Sequence, residues 1–312
     1  MKLVTFEHKE RGIGVGWLRH DGVVDGGKAS QGELPNNMLQ LLQHFPQHLQ
    51  TIQAIDRALT EGEGDFLLPL TEVRLLPPLP NPRSIRDFYA FEEHVKAARA
   101  RRGLAMQQEW YEQPVFYFSN HQAVIGPENL ISPPTGCEKL DYELEVAVVI
   151  GKEGQNIPWQ EGEQYMAGLM IMNDWSARDL QQQEMQVGLG PAKGKDFATS
   201  LGPYLVTMDE LLPYQLARSQ RKGMDYALTM EARVNGHQLS KGNLSQIYFT
   251  LAQLIEQASK NVILYPGDVL GTGTVGTGCL LELGEEVHRW LQPGDLVELE
   301  VLGLGCLRNQ IG

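Results

Sequence analysis

The sequence predicts a strand-dominated α+β protein, and three observations carry that expectation. Residues 140–151 form an apolar, β-branched run that ends on Gly151, the pattern of a single β-strand. From Pro114 onward, further strand-like runs recur, as at Val115-Phe116-Tyr117-Phe118 and at residues 166–172. Helical periodicity is confined to a few segments, near 37–59, 84–99, 175–184 and 244–258.

Taken in order, residues 2–6 and 12–18 read as short strands, with turns at Glu10-Arg11-Gly12 and Asp21-Gly22. Leu39, Leu41, Leu42, Phe45, Leu49, Ile52, Ile55 and Leu59 then recur at helical spacing, interrupted near Pro46. A strand is expected at residues 73–76. The string Pro77-Pro78-Leu79-Pro80-Asn81-Pro82 cannot continue a helix or a central strand, so it sets a boundary between a small β-rich N-terminal domain, 1–78, and a larger domain, 79–312. Residues 84–99 read as a helix: Ser84-x-x-Asp87 resembles a capping box, Glu92 precedes Lys96 by four residues, and Gly103 can end it. Asp87, Phe91, His94 and Ala98 fall on one stripe of that helix, and the basic residues near its end suit a helix C-terminus. A helix is expected from Trp175-Ser176 through Glu184, a glycine- and lysine-bearing loop over 188–197, and an amphipathic helix over 244–258. Pro266-Gly267-Asp268 and Pro293-Gly294-Asp295 are each a turn leading into a strand.

Bulk properties exclude several functions. With 26 basic and 39 acidic residues the net charge is −13, which argues against a nucleic-acid or anionic-membrane surface. Three cysteines (Cys137, Cys279, Cys306) match neither a zinc site nor a disulfide framework. With Met1-Lys2-Leu3-Val4 leading directly into a strand, they fit a reducing cytoplasm. No apolar run reaches the ~20 residues of a membrane span. His8, His20, His44 and His48 lack metal-ligand spacing and read as surface histidines.

The chemistry concentrates on the 140–151 run. Alternation puts Asp141, Glu143, Glu145, Ala147 and Val149 on one face, and Tyr142, Leu144, Val146, Val148 and Ile150 on the other. Carboxylates about 7 Å apart on a face that turns apolar repel unless something neutralises them, and a hard divalent cation does so. The alternative is a polar strand end emerging into water. Asp174 can cap a helix or supply a third ligand; Asp87 can cap or supply a fourth. His94 can be structural or a base. Lys193 and Lys195 can be surface lysines or meet an anion. Gly271-Thr272-Gly273-Thr274-Val275-Gly276 matches GxGxxG, but the glycine-rich, alternating string after it is not the helix a dinucleotide site needs. That loop can still bring backbone amides and Thr274 to an oxyanion.

The motif set resembles the fumarylacetoacetate hydrolase family over most of residues 83–312. The resemblance rests on Arg86-Asp87-Phe88-Tyr89 with His94, Leu140-Asp141-Tyr142-Glu143-Leu144-Glu145, Met172-Asn173-Asp174-Trp175-Ser176-Ala177-Arg178-Asp179, Gly194-Lys195-Asp196-Phe197 and Gly273-Thr274, in that order. It implies a mixed β-roll C-terminal domain, a smaller N-terminal β domain and a homodimer. It implies Asp87, Glu143, Glu145 and Asp174 as ligands of Mg²⁺ or Ca²⁺, with Mn²⁺ a further candidate. It makes His94 the base that activates water and Glu282 the group that orients it. It makes Lys195 and Gln181 the groups that hold substrate oxygens or the tetrahedral intermediate, and Tyr117 and Thr274 substrate contacts, the latter to a carboxylate. Asp141 becomes a supporting residue. Met185 departs from the family, where a substrate-binding Tyr is usual, and leaves the acyl group open.

The reaction so implied is hydrolysis of a C–C bond in a 1,3-diketo acid, of fumarylacetoacetate or acylpyruvate type, in aromatic catabolism. The alternative is isomerisation or decarboxylation of an unsaturated oxo-dioate on the same metal site. A metal-stabilised protein without catalysis is the third reading. A continuous helix from Asp87 to His94 would set the two roughly 10 Å apart along its axis. The base is therefore expected across the substrate from the metal, or on an irregular or mobile helix.

Overall fold

The computed structural model describes residues 1–20, 22–59, 65–216 and 220–312. Asp21, one half of the expected turn at Asp21-Gly22, lies outside them. Among the described residues a twelve-stranded sheet has as its main path Leu67–Pro69, Gly22–Asp25, Gly12–Arg19, Lys2–His8, Thr199–Thr207, Met166–Asp174, Leu144–Ile150, Asp268–Gly271, Ser84–Phe88 and Phe116–Ser119. Neighbours on this path are antiparallel except Asp268–Gly271 and Ser84–Phe88, which run parallel. A second, five-stranded sheet orders His237–Asn243, Thr229–Val234, Leu296–Val301, Gly305–Ile311 and Leu130–Ile131. With short helices around these mixed sheets, the fold is strand-dominated α+β.

The 140–151 stretch sits near the centre of the large sheet, in two pieces, Leu140–Asp141 and Leu144–Ile150. Its alternation holds. Leu144, Val146, Val148 and Ile150 join a core that includes Met230, Val297 and Leu299 of the second sheet and Leu254 and Ile255 of the Leu251–Ser259 helix. Ala147 and Val149 join the opposite core, with Met38, Leu42 and Phe45 from the helices Met38–Gln43 and Phe45–Ala58. Each buried Leu, Val or Ile contributes ~1.5–3 kcal/mol relative to exposure. A one-residue slip would bring Glu145 into the core and Leu144 out, so the apolar run fixes where the carboxylates lie.

Four local expectations are corrected. The helix expected over 84–99 is a strand, Ser84–Phe88, followed by a helix, Glu92–Ala100. Ser84 caps nothing; its hydroxyl donates to Asp268 Oδ1 at 2.6 Å across the parallel pairing. Asp87 is therefore a strand residue, and the helical Asp87–His94 stripe does not exist. The helix expected from Trp175 begins at Arg178, since Ser176–Ala177 first pairs with Leu140–Asp141, and it ends at Gly188 with φ 85°. The segment 244–258 is a 3-10 turn, Leu244–Gln246, then a helix, Leu251–Ser259, that starts on its own Thr250–Gln253 capping box. His8 is buried rather than on the surface, and its Nδ1 accepts the Glu10 amide.

The large sheet passes from one side of the proline string to the other. Lys2–His8 pairs with Thr199–Thr207, and Val73–Leu75 pairs with Lys2–His8. Both Pro-Gly-Asp turns form, with Gly267 and Gly294 at φ +92°.

Candidate active site

Four carboxylates converge on one face of the large sheet. Asp87 lies on Ser84–Phe88, Glu145 on Leu144–Ile150, Asp174 at the end of Met166–Asp174, and Glu143 in the break before Leu144. One oxygen from each lies within 4.8 Å of the others, and all four residues are buried. Strand register brings them there. Asp87 is paired with Gly271 on one side and Tyr117 on the other, Glu145 with Met172, and Asp174 with Thr199. A Cβ on Gly271 would lie 2.5 Å from Asp87 Oδ1, so this glycine makes room for the carboxylate. Gly273, at φ +81°, turns its N–H to Glu145 Oε2 at 2.9 Å, and the Thr274 hydroxyl lies 3.5 Å from Oε1. The oxyanion that the glycine-rich loop approaches is Glu145.

Two cations and a phenol face this cluster. Lys195 Nζ donates to Glu143 Oε2 at 2.7 Å and to Asp174 Oδ2 at 2.6 Å. Tyr117 OH donates to Asp174 Oδ2 at 2.5 Å. Arg178 Nη2 donates to Glu143 Oε1 at 2.8 Å. Burial, the largest influence on Glu143, raises its pKa, but Lys195 and Arg178 together outweigh it and hold the carboxyl well below its ordinary range. Burial pushes Asp87 and Glu145 well up, reinforced by Asp174 at the first and by Asp87 at the second. Asp174 is also raised by burial, against the pull of Lys195. Burial and the neighbouring Asp174 charge likewise push the Tyr117 phenol up.

Asp87 Oδ1 and Asp174 Oδ1 are buried without a hydrogen-bond partner. Unpartnered buried carboxylate oxygens are costly, and an all-oxygen donor set with excess negative charge suits a hard divalent cation. The residues therefore fit the implied metal, which Asp87, Glu143, Glu145 and Asp174 would hold.

The base candidate comes from the Glu92–Ala100 helix. His94 Nδ1 lies 2.6 Å from Glu282 Oε1, and both side chains are about 5 % exposed. Opposite a carboxylate Nδ1 is the donor, so in the neutral tautomer Nε2 is the nitrogen with the lone pair. Glu282 sits in the short helix Leu280–Leu283, where its Oε2 accepts the Thr277 amide at 2.9 Å. The Tyr89 ring packs edge-on against His94 at 5.3 Å, and burial pushes its phenol up to about 12.

A cavity of about 280 Å³ joins these groups; His94, Asp87, Glu143, Glu145, Lys195, Gln181, Tyr117 and Thr274 all line it. Asp174 and Glu282 stand directly behind lining residues, hydrogen-bonded to Lys195 and His94. The structure thus brings together every site residue that the resemblance implies, while Lys193 is exposed, paired with Asp196 and outside the cavity. Met185 lines the same cavity.

Sequence reasoning missed two contributors. Arg178 is buried and binds Gln181 one helical turn on, and Asp141 and Glu143, partners set by folding and not by local spacing. Asn173 Oδ1 accepts the Glu143 amide at 2.9 Å and satisfies the backbone in the strand break. The polar Asn-Asp pair closing an apolar strand was the available signal for the second; Arg178 stood in the same motif, but nothing local pointed to Asp141 or Glu143 as its partners.

Residues 83–312 match the family pattern described as "Fumarylacetoacetate (FAA) hydrolase C-terminal". The fumarylacetoacetase of Oryza sativa subsp. japonica is 30% identical over 298 residues, covering 78% of this chain and 68% of that protein. The oxaloacetate tautomerase of Bacillus subtilis is 28% identical over 284 residues, covering 89% of this chain and 87% of that one. A crystal structure of a probable 2-hydroxyhepta-2,4-diene-1,7-dioate isomerase from Mycobacterium abscessus is 26% identical, covers 100% of this chain and 98% of its own, and superimposes with a TM-score of 0.73. With its matching segment spanning most of its length, the chain belongs to the fumarylacetoacetate hydrolase family.

Proposed function

We propose that this protein is a hydrolase, dependent on Mg²⁺ or Ca²⁺ (or Mn²⁺), that cleaves a C–C bond of a 1,3-diketo acid of fumarylacetoacetate or acylpyruvate type. The observation that carries this reading is the His94–Glu282 pair opening into the same cavity as the four carboxylates. A divalent cation held by those carboxylates supplies Lewis-acid polarisation of a carbonyl. His94 Nε2 takes a proton from water, whose oxygen adds to the carbonyl carbon. Glu282 stabilises the imidazolium through Nδ1–H. Gln181 Oε1 is engaged by Arg178, which leaves its amide N–H groups free to donate to the developing oxyanion, with Lys195 beside it. When the C–C bond breaks, its electron pair stays on the departing carbon, which takes the proton that His94 removed from water, giving a ketone and a carboxylic acid.

The test is loss of diketone absorbance over a panel of diketo acids, with and without chelator. Turnover that stops with chelator and falls in His94→Ala supports hydrolysis. No turnover of any member rejects it.

A second reading, isomerisation or decarboxylation of an unsaturated oxo-dioate at the same site, is favoured by the likeness to the probable dioate isomerase and by Met185 in the place where hydrolases usually carry a tyrosine. It needs no attacking water, so His94→Ala would leave that turnover intact. The family resemblance also supports a homodimer, which light scattering on the purified protein would check.

A further inference from the structure

Asp141 is fully buried yet lies outside the four-carboxylate cluster. Its Oδ1 accepts the Leu280 amide at 2.7 Å, and its Oδ2 accepts the Leu281 amide at 3.0 Å. Those amides open the short helix Leu280–Leu283 that carries Glu282. Oδ2 also accepts Arg178 Nε at 2.8 Å. The same guanidinium reaches Glu143 Oε1 at 2.8 Å through Nη2 and Gln181 Oε1 at 3.0 Å through Nη1. Glu282 then grips His94 at 2.6 Å. A guanidinium is a planar fork of fixed geometry, so Glu143, Gln181 and Asp141 cannot shift independently of one another. Burying an acid and a base here is costly, and well-packed apolar side chains would often be no less stable. What apolar side chains could not do is hold two backbone amides and a guanidinium in one geometry.

We propose that Asp141 is a positioning residue that, through Arg178, couples the placement of Glu143 to that of the Glu282–His94 pair. The inference rests on the reading of His94 as the base. Its first readout needs no substrate, so it stands whether or not diketo acids are the substrates.

The experiment is ring nitrogen NMR on ¹⁵N-labelled full-length protein, with His94 identified among the eight histidines by His94→Gln. In wild type, His94 shows one tautomer, with a protonated Nδ1 and a free Nε2. In Asp141→Asn, that Nδ1–H signal is lost or moves towards a free imidazole. Mg²⁺ affinity by calorimetry falls ~10–100-fold, and with an active substrate kcat falls by a similar factor at unchanged KM. Arg178→Lys is the second arm: it keeps the charge but cannot bridge both carboxylates, and it should reproduce the effect. An unchanged His94 signal in a folded variant overturns the proposal, as does failure of both variants to fold, which would assign the pair to stability alone.

Discussion

Glu282 Oε1 stands 2.6 Å from His94 Nδ1, although the two residues are 188 positions apart in the chain. The contact is made between two short helices from different parts of the chain, Glu92–Ala100 and Leu280–Leu283, and it sets which ring nitrogen faces the carboxylate and which faces the cavity.

Replacing either partner should therefore damage proton transfer more than binding. His94→Ala is expected to lower kcat ~10²–10⁴-fold with little change in KM, and Glu282→Gln to lower it less. Steady-state kinetics on the best diketo acid checks both; a KM effect alone would assign the pair to substrate binding.

Asp87→Asn should move stability in opposite directions with and without metal. The substitution removes a carboxyl whose ionisation is opposed by burial and by Asp174, so chelated protein should gain stability. Saturating Mg²⁺ at about 100 Kd should stabilise wild type by ~2.7 kcal/mol, and the variant by much less. Thermal denaturation in Mg²⁺ and in chelator reads both signs.

Gly271→Ala should compromise the cluster from behind. The added Cβ would meet Asp87 Oδ1 at 2.5 Å and Met172 Cε at 2.9 Å. The expected cost is ~1–3 kcal/mol, with weakened Mg²⁺ binding. Calorimetric titration and urea unfolding separate the two effects.

Away from the site, Asp295 gives a pH signature. Its carboxylate is held well below the ordinary range, first by the hydrogen bond from Arg289, against the opposing effect of burial, and then by Asn235 and the Gln292 amide. A depressed carboxylate pKa adds stability above the unfolded value, near 3.9, and loses it as pH falls through the folded one. Asp295→Asn should thus cost ~1 kcal/mol at neutral pH, a modest figure because Arg289 is half exposed. The gap to wild type should start to narrow as pH falls past the unfolded value and close only once pH has fallen through the depressed folded one. Urea unfolding across that range tests the sign.

How far the sequence was legible follows from where the partners lie. The alternation of 144–150 is a local pattern, and both its faces were read correctly because each packs on its own core. Asp87 was placed on a helix because Phe91, His94 and Ala98 do repeat at helical spacing, but that helix starts only at Glu92. What makes Ser84–Phe88 a strand is its parallel pairing with Asp268–Gly271, a long-range contact that no local window contains. Arg178 escaped notice for the same reason, since Asp141 and Glu143 lie more than thirty residues upstream. The carboxylates themselves were legible because buried like charges on an apolar face demand an explanation.

The pairing of Lys2–His8 with Thr199–Thr207 bears on how the protein could be dissected. Excising residues 1–78 would leave the Leu205–Val206 end of Thr199–Thr207 without its partner, since Val124–Ile125 covers only Thr199 and Ser200, and would bare the apolar side of Ala147, Val149 and Met170. An open edge beside a bare apolar face is a template for intermolecular strand addition. The trimmed chain should therefore precipitate or self-associate, which size-exclusion chromatography of residues 79–312 checks.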